Sequence, residues 1–353
     1  PEGAAVAYYY TQYKPIAGSS EYEGSDAMPK IEENTVISEP GTYYVYAKTA
    51  ETKNYKEERS ATVELTVTEP TAASVTRADG TDGGTYKTLP AALDAAQDGD
   101  TVKLLADHTT NWDNVDAGDE QMAVVRKTLT LDLNGMTVDY LTVGDVVPDE
   151  AGGIIDSYDG NLTVVDNIQG GSCGKIKDLE FVKGSLAIQG GRIGDYDGSK
   201  LTCNENSGNV TISGGTVLGL EVSEGATVTV NGGSAHAGTW FNDGTLNITG
   251  GTFGDVRFRN NGGTIAISGG TFDTITNSDA SSTIPLMPLL ANGYAFYKDN
   301  AVQDSTAKTM TDVTVGAHTH VPDEHGKCAC GASIIASVKT ADGTERTYGS
   351  FTD

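Results

Sequence analysis

The chain has 353 residues, with 23 Lys and Arg against 49 Asp and Glu, so its formal net charge is −26. This charge argues against nucleic acid as a partner, because neutralising phosphates requires clustered Lys and Arg. No apolar run is long enough to cross a membrane, which predicts no membrane insertion. The 44 glycines and the lack of long helical periodicity predict an all-β fold with many turns.

Residues 1–70 differ in composition from the rest and carry 9 of the 16 Tyr. Segments 41–47 and 61–67 alternate apolar and polar residues, as strands of small β-sandwiches do. We therefore predict a small Ig-like β-sandwich over residues 1–70. About 70 residues is few for a complete sandwich, which leaves open that the domain is truncated before Pro1.

A pair of glycines recurs five times, at intervals of 24, 18, 18 and 19 residues. The pairs are Gly190–Gly191, Gly214–Gly215, Gly232–Gly233, Gly250–Gly251 and Gly269–Gly270. Each pair follows a short strand with one apolar face and one face of Thr, Ser or Asn. Such a repeat matches one coil of a parallel β-helix, with coils stacked at roughly 4.8 Å. The register predicts an inward ladder of Val210, Val228, Leu246 and Ile265, with Trp240 also in the core.

The capping and boundary signals place a parallel β-helix over residues 71–300. A short amphipathic helix near residues 88–96, with Thr88 as N-cap and Pro90 in its first turn, is expected to cover the open end. Segment 284–297 is expected to cover the opposite end. Residues 301–335 are expected to form a linker. Because 73–81 reappears almost unchanged at 336–344, residues 336–353 are predicted to start a second β-helix repeat.

Three segments carry a resemblance to a known family. They are the Gly-Gly-Thr-Phe coils at 250–253 and 269–272, the opening at 85–92 and the closing segment at 289–296. They resemble the pectate-lyase-like right-handed β-helices of large modular surface proteins from gut Gram-positive bacteria. The resemblance implies an extracellular, cell-wall-associated setting. Its members include adhesins and carbohydrate-active enzymes, so it is specific for the fold and weak for the function.

Two histidines and two cysteines near the C-terminus have metal-ligand character. His318, His320, Cys328 and Cys330 supply two imidazoles and two thiolates, the number and softness that tetrahedral zinc prefers. Four protein ligands leave no open position, so the zinc site would be structural. The one-residue spacing within each pair is tighter than in zinc fingers. The alternative is a vicinal or intermolecular cysteine pair in a flexible linker.

Acids cluster in two interruptions of the coil pattern. The first cluster lies beside Trp112 and the second follows Val143. The acids are Asp113, Asp116, Asp119 and Glu120 in the first cluster, and Asp145, Asp149, Glu150, Asp156 and Asp159 in the second. A calcium site or a glycosidic carboxylate pair is one interpretation, and solvated loop charge is the favoured one. Cys173 and Cys203 are expected to be buried or half-buried thiols rather than a disulfide.

One outward column carries the candidate ligand-binding residues. Phe241, Arg257, Arg259 and Glu221 are predicted to form a patch on the flank of the β-helix, suited to stacking a sugar or docking a protein. An isolated exposed aromatic is the alternative interpretation.

These observations predict a non-catalytic binding region of a secreted, cell-wall-associated bacterial surface protein, an adhesin. Its partner is expected to be a host glycan or host protein, for example a mucin-type glycoprotein or an immunoglobulin. The alternatives are a β-helix glycoside hydrolase or polysaccharide lyase, an accessory domain of one, or a stalk without a ligand. The acids appear mainly in loops and Lys and Arg are sparse, which argues against catalysis.

Overall fold

A computed structural model of the protein describes most of the chain. The residues outside this description are 1–4, 15–28, 33–35, 38, 54–55, 57, 69, 111–121, 149–153, 169–172, 196–197, 280, 324–325, 334–335, 340–344 and 349–353. The chain divides into two compact units, Pro1–Pro70 and Thr71–Asp353.

The described part of the first unit forms one antiparallel sheet. Its strands are β1 (Val6–Thr11), β2 (Lys30–Ile31), β3 (Gly41–Thr49) and β4 (Val63–Val67), in the spatial order β2-β1-β3-β4. Tyr43 and Tyr46 are buried on β3, and the ring of Tyr46 stacks on Tyr9 of β1 at 5.5 Å between centroids. The aromatic residues of this unit therefore form its small core.

Among the described residues, the second unit has one short α-helix and many short strands. The helix is α1 (Leu89–Ala95), and residues Met287–Leu289 form one turn of 3-10 helix. The strands are β5 (Ala73–Thr76), β6 (Asp82–Tyr86), β7 (Thr101–Leu104), β8 (Ala123–Val125), β9 (Thr128–Asp132), β10 (Thr137–Val143), β11 (Asp145–Pro148), β12 (Ile154–Tyr158), β13 (Gly160–Val165), β14 (Lys175–Phe181), β15 (Gly184–Ile188), β16 (Arg192–Ile193), β17 (Leu201–Cys203), β18 (Gly208–Ile212), β19 (Thr216–Val217), β20 (Leu220–Val222), β21 (Thr227–Val230), β22 (Ser234–Asn242), β23 (Thr245–Ile248), β24 (Thr252–Asn260), β25 (Thr264–Ile267), β26 (Thr271–Ser278), β27 (Tyr294–Lys298), β28 (Ala301–Val302), β29 (Thr309–Ala317), β30 (Ala336–Lys339) and β31 (Glu345–Tyr348).

Two long, mainly parallel sheets run through this unit. One has ten strands, in the order β25-β23-β21-β18-β15-β13-β9-β7-β5-β6, and the other has thirteen strands. From β9 to β26, apart from the hairpin β11–β12, the chain alternates between the two sheets. Each successive coil therefore adds parallel strands to both sheets. The fold is therefore all-β with long parallel sheets, an arrangement consistent with a β-helix-like fold.

The inward ladder predicted from the repeat is confirmed. Val210 pairs with Val228, Val228 with Leu246, and Leu246 with Ile265, and all four are buried. Leu186 extends the ladder to the preceding coil. Stacking of this kind buries the apolar face of each coil against its neighbours, so the core is continuous along the unit.

The paired glycines are explained by the close approach of successive coils. A Cβ added to Gly232 would collide with the backbone oxygen of Ser213 in the preceding coil, and Gly233 has φ of 74°. The first position therefore requires the absence of a side chain, and the second favours glycine for its left-handed backbone. The same two constraints apply at Gly190–Gly191, Gly214–Gly215, Gly250–Gly251 and Gly269–Gly270.

Helix α1 lies at the N-terminal end of the parallel coils, as predicted. The Thr88 hydroxyl accepts a hydrogen bond from the Ala91 N–H at 3.2 Å, and Pro90 lies in the first turn. Leu89, Ala92 and Leu93 are buried in the main core. Lys127 donates to the Ala96 carbonyl oxygen at 2.7 Å, which satisfies an acceptor at the C-terminal end of the helix.

Residues 301–335 depart from the linker expected from the sequence. Strand β29 is nine residues long and pairs antiparallel with both β26 and β27, so it connects the last parallel strand to the final strands of the thirteen-stranded sheet. Met310, Val313 and Val315 of this strand are buried in the main core. The segment before the histidines is thus part of the second unit, because its alternating apolar residues cover the last coil.

The hairpin β30–β31 has the register of the hairpin that opens the unit. Ala336 pairs with Tyr348 and Ser337 with Thr347, whereas Ala73 pairs with Tyr86 and Ser74 with Thr85. The intervening residues 340–344 lie outside the described part of the chain. The repeated sequence therefore forms the same two pairs in both hairpins, while the first hairpin also has a register shift between Ser74 and Thr76.

Candidate metal centre and flank groove

The histidine and cysteine pairs are brought together by strand β29 and by a tight turn. His318 and His320 follow the end of β29 directly, and the backbone N–H of His318 donates to the Gly293 carbonyl at 2.7 Å. Cys328 and Cys330 lie in a turn closed by the Cys328 N–H to Ala332 carbonyl bond of 2.8 Å. The Ser305 N–H donates to the Cys330 carbonyl at 2.9 Å, which fixes this turn to the preceding loop.

The four candidate ligand atoms form one compact group. They all lie within 4.8 Å of one another. His318 Nε2 lies 3.0 Å from Cys328 Sγ, and His320 Nδ1 lies 3.3 Å from Cys330 Sγ. The cysteines are 6% and 3% exposed and the histidines are half-buried. Among the described residues, this is the only group of three or more His, Cys, Asp or Glu placed to hold a metal ion.

Tyr297 orients one of the histidines. Its hydroxyl donates to the Ala317 carbonyl at 2.9 Å and lies 3.3 Å from His318 Nδ1. Because the hydroxyl proton is donated to the carbonyl, the tyrosine oxygen can accept a hydrogen bond from a protonated Nδ1. That tautomer leaves the Nε2 lone pair directed at the cysteine sulfurs, as a metal ligand requires.

The two thiols have opposite pKa shifts. Burial acts to raise the pKa of Cys328, but the hydrogen bond from the Cys330 N–H and the contacts with both imidazoles outweigh it and lower the pKa to about 6. Burial raises the pKa of Cys330, and the neighbouring Cys328 raises it further. If both thiols were deprotonated, two negative charges would lie side by side in a buried place, and a divalent cation there would compensate them.

The donor set fits a metal ion such as zinc. Two imidazole nitrogens and two sulfurs match a closed tetrahedral site, and Tyr297 supplies an outer contact of the kind that metal-bound histidines make. All four candidate ligands identified from the sequence therefore meet in one place.

A groove lies on the outward face of β22, β24 and β26. We name it the flank groove, and it has a volume of about 410 Å³. Its lining residues are Thr239, Phe241, Arg257, Arg259, Ser278, Asp279, Ser281, Ser282 and Thr283. The Arg259 guanidinium lies over the Phe241 ring at 5.5 Å from its centroid, a cation–π contact. Three of the four residues predicted for the flank patch are thus in one groove.

Glu221 is next to this groove without lining it. It pairs with Phe241 in the sheet register, and its carboxylate forms an ion pair with Lys200. Asp279, which also lines the groove, belongs to the loop after β26, a segment not among the sites predicted from the sequence. The sequence Asp-Ala-Ser-Ser that follows the last Gly-Gly coil is a turn signal that indicates such a loop.

The number of residues after each glycine pair does not by itself set the register of the thirteen-stranded sheet. Leu220 and Gly238 both lie five positions after the second glycine of their pairs, yet Leu220 pairs with Trp240. Thr216 pairs with Ser234, and Trp240 lies six positions after Ser234 whereas Leu220 lies four positions after Thr216. Trp240 is nevertheless 1% exposed, so its placement in the core is confirmed.

Two outward-facing acids on strand β14 were not among the candidate site residues predicted from the sequence. Asp178 and Glu180 lie on β14, alternating with the buried Leu179 and Phe181, and point out of the core. Glu180 accepts hydrogen bonds from Tyr140 and Asn204. The alternation of acids with apolar residues was the signal that could have revealed them.

The calcium interpretation gains no support from the described acids. Asp145 is ion-paired with Arg126 at 2.7 Å, Asp159 with Lys183 at 3.4 Å, and Asp156 accepts from its neighbour Tyr158. Each carboxylate therefore has its own partner, and the three do not form a cation-binding group. The other acids proposed for this role are Asp113, Asp116, Asp119, Glu120, Asp149 and Glu150, which lie with Trp112 outside the described residues.

The remaining cysteines are free thiols, as expected. Cys203 is fully buried and Cys173 is half-buried. Burial in apolar surroundings raises the pKa of Cys203, so this thiol stays protonated at neutral pH.

Comparisons with protein-family models, curated proteins and solved structures find no match to this chain. None of the helices in the described part is long and apolar enough to span a membrane.

Proposed function

We propose that this chain is a non-catalytic binding region of a secreted, cell-wall-associated bacterial surface protein, an adhesin that recognises a host glycan or host protein. The flank groove is the observation that carries the proposal. It combines an aromatic ring, two guanidinium groups and several hydroxyls on a face supported by rigid coils. Sites of this composition bind ligands by stacking and hydrogen bonding, and neither requires a titrating group.

The fold families of the two units are part of the same proposal. We assign the second unit to the right-handed parallel β-helices and the first to the Ig-like sandwiches. The extracellular setting rests on the resemblance of the Gly-Gly-Thr-Phe coils to modular surface proteins. The matching hairpins β5–β6 and β30–β31 support the assignment of residues 336–353 to the start of a second β-helix repeat.

A binding screen tests the proposed function. The purified chain is applied to a glycan array and to immobilised host glycoproteins, including mucins and immunoglobulins. Replacing Phe241 and Arg259 together with Ala should abolish capture of the ligand found, with little change in melting temperature because neither residue is in the core. Absence of any ligand, or a ligand bound equally by this double variant, contradicts the proposal.

We propose in addition that His318, His320, Cys328 and Cys330 hold one structural zinc ion. The convergence of four ligand atoms supports this assignment. Elemental analysis of the purified chain should give about one zinc per molecule. The Cys328→Ser variant should lose the metal, whereas Cys173→Ser, which changes a free cysteine elsewhere, should keep it. Zinc retained by Cys328→Ser contradicts this ligand set.

One observation favours a second candidate function, glycoside hydrolysis. Glu180 and Glu221 flank Thr202 on one outward column of the thirteen-stranded sheet. Two strand spacings of roughly 4.8 Å separate their Cα atoms by about 9.6 Å. Side chains that start from Cα atoms at this distance can bring two carboxyl groups to the separation of about 6.5–9.5 Å found in inverting glycosidases. Release of reducing sugar, lost in Glu180→Gln and in Glu221→Gln but kept in the exposed control Glu224→Gln, would establish this function instead.

A further inference from the structure

We propose that the flank groove binds an acidic sugar residue, one that carries a carboxylate or a sulfate ester, with Arg257 as its main anion contact. This inference rests on the proposed binding function and names its ligand class. The charges, hydrogen bonds and shape of the groove support this ligand class.

Arg257 is placed to meet an incoming anion. Its side chain is exposed, and within the described residues it makes no ion pair, although the chain has 49 Asp and Glu. Its neighbours in the adjacent coils are the uncharged Thr239 and Thr276. A guanidinium presents a planar fork of N–H donors that matches a carboxylate or a sulfate with two parallel hydrogen bonds.

The acids nearest the groove are engaged with other groups. The Asp279 carboxylate accepts from the backbone N–H groups of Ser281 and Ser282, each at 2.7 Å, and these bonds lower its pKa. Glu221 is ion-paired with Lys200. Asp255, two residues before Arg257 on β24, forms no ion pair with it in the described structure. None of these carboxylates therefore occupies the Arg257 guanidinium.

The net charge of −26 does not prevent anion binding at this place. At physiological ionic strength, exposed charges farther away than about 8 Å are largely screened. The local field is therefore set by groups in or next to the groove, where Arg257 and Arg259 are the cations of the lining and Asp279 is its acid.

The rest of the groove suits a sugar ring better than a small inorganic anion. The Phe241 ring offers an apolar surface for the C–H groups of a sugar, and Ser281, Ser282 and Thr239 offer hydroxyls for its own hydroxyls. The volume of about 410 Å³ lies within the range of small-ligand sites. The anion and the sugar ring together would use the cations, the aromatic ring and the hydroxyls of the lining.

Calorimetric titration of the full chain with defined oligosaccharides tests this proposal. The probes are a uronic acid oligosaccharide, its methyl ester, a sulfated oligosaccharide and the neutral parent sugar. At least one acidic probe should bind about tenfold more tightly than its neutral form, the effect of one charged hydrogen-bonded contact. The uronate and sulfate arms then identify which anion is preferred.

Arg257→Gln should reduce binding of the acidic probe to the level of the neutral one and leave neutral binding unchanged. Lys103→Gln, which makes the same charge change at an exposed position on the other sheet, should behave like the wild type. Equal binding of acidic and neutral probes through the groove overturns the acidic-sugar proposal and keeps the binding function. Acidic probes unaffected by Arg257→Gln also overturn it. Failure of every probe and of the wider screen removes the binding function itself.

Discussion

Trp240 shows at the residue scale how a large side chain is accommodated in a narrow core. It is 1% exposed and meets Phe253 and Phe258 edge-on, at 5.7 and 5.9 Å between ring centroids. Its indole N–H is buried and has no hydrogen-bond partner in the described structure. The ring thus stabilises the folded state by packing, whereas the unsatisfied indole N–H group destabilises it.

Replacing Trp240 tests this balance. Trp240→Ala should lower the free energy of unfolding by about 3–5 kcal/mol, because it opens a cavity in the core. Trp240→Phe should cost clearly less, since it keeps an aromatic ring and removes the unsatisfied N–H. Urea unfolding followed by circular dichroism measures both values. An alanine variant as stable as the phenylalanine variant would show that the ring is not tightly packed.

Asp100 links the end of helix α1 to strand β5. Its carboxylate accepts from Arg77 at 2.7 Å, from the Gln97 N–H at 2.8 Å and from the Ala78 N–H at 3.0 Å. Burial acts to raise the pKa of Asp100, but these hydrogen bonds outweigh it and lower the pKa below its usual value. A carboxyl with a lowered folded-state pKa stabilises the fold above its unfolded pKa.

Asp100 should therefore contribute to the free energy of unfolding at neutral pH. This contribution should be lost on acidification below about pH 4, because the carboxyl then becomes protonated in the folded state. Asp100→Asn should be less stable than the wild type at pH 7, and the difference should shrink at lower pH. Thermal unfolding across a pH series measures it. A difference independent of pH would mean that the carboxylate charge does not contribute.

At the element scale, the turns between sheets limit which residues the coil can hold. A Cβ added at Gly250 would lie 2.6 Å from the backbone oxygen of Asn231 in the preceding coil. A Cβ added at Gly316, on strand β29, would lie 3.5 Å from the Tyr297 ring, an ordinary contact. Neither glycine has a left-handed backbone, so the two sites differ mainly in the space available.

Gly250→Ala should cost about 1–3 kcal/mol of stability, because the coils must move apart to admit the methyl group. Gly316→Ala is the matched control and should change stability by less than about 0.5 kcal/mol. Melting temperatures of the two variants, compared with that of the wild type, distinguish them. Equal effects at both sites would show that coil spacing does not explain the paired glycines.

At the scale of the whole molecule, the candidate metal centre has a small core of its own. Cys328 and Cys330 pack with Ala295, against the partly buried Tyr297 and Val302, whereas the ladder residues belong to the large continuous core. The coils are therefore expected to keep their stability without a metal ion at this centre.

Removing the metal should change the molecule locally. With a strong chelator, the main melting transition should stay within about 2 °C, while Cys328 and Cys330 should become reactive toward a thiol reagent. Cys203, buried in the main core, should remain unreactive in both conditions and serves as the internal control. A large fall in the melting temperature would place the metal centre within the main cooperative unit.

The sequence by itself determined the all-β class, the coil repeat, the inward ladder and the capping helix. Each depends on information local to one coil: alternation selects the buried face, paired glycines mark the turns, and Thr88 and Pro90 begin the helix. The sequence also showed two histidines and two cysteines, close together in the chain, that could act as metal ligands. These predictions are strong because the same glycine pair and the same apolar alternation recur in several coils.

The tertiary structure alone decided how distant segments meet. The pairing of Leu220 with Trp240 depends on how many residues each coil uses between its turns, and the flank groove exists because the loop after β26 lies beside β24. Strand β29 is part of the sheet because its apolar residues pack on the last coil. This pairing places His318, which follows the strand, close to the cysteines. Periodicity fixes which face of a strand is inward. Contacts between separate coils and loops depend on packing across the whole unit, which no local pattern contains.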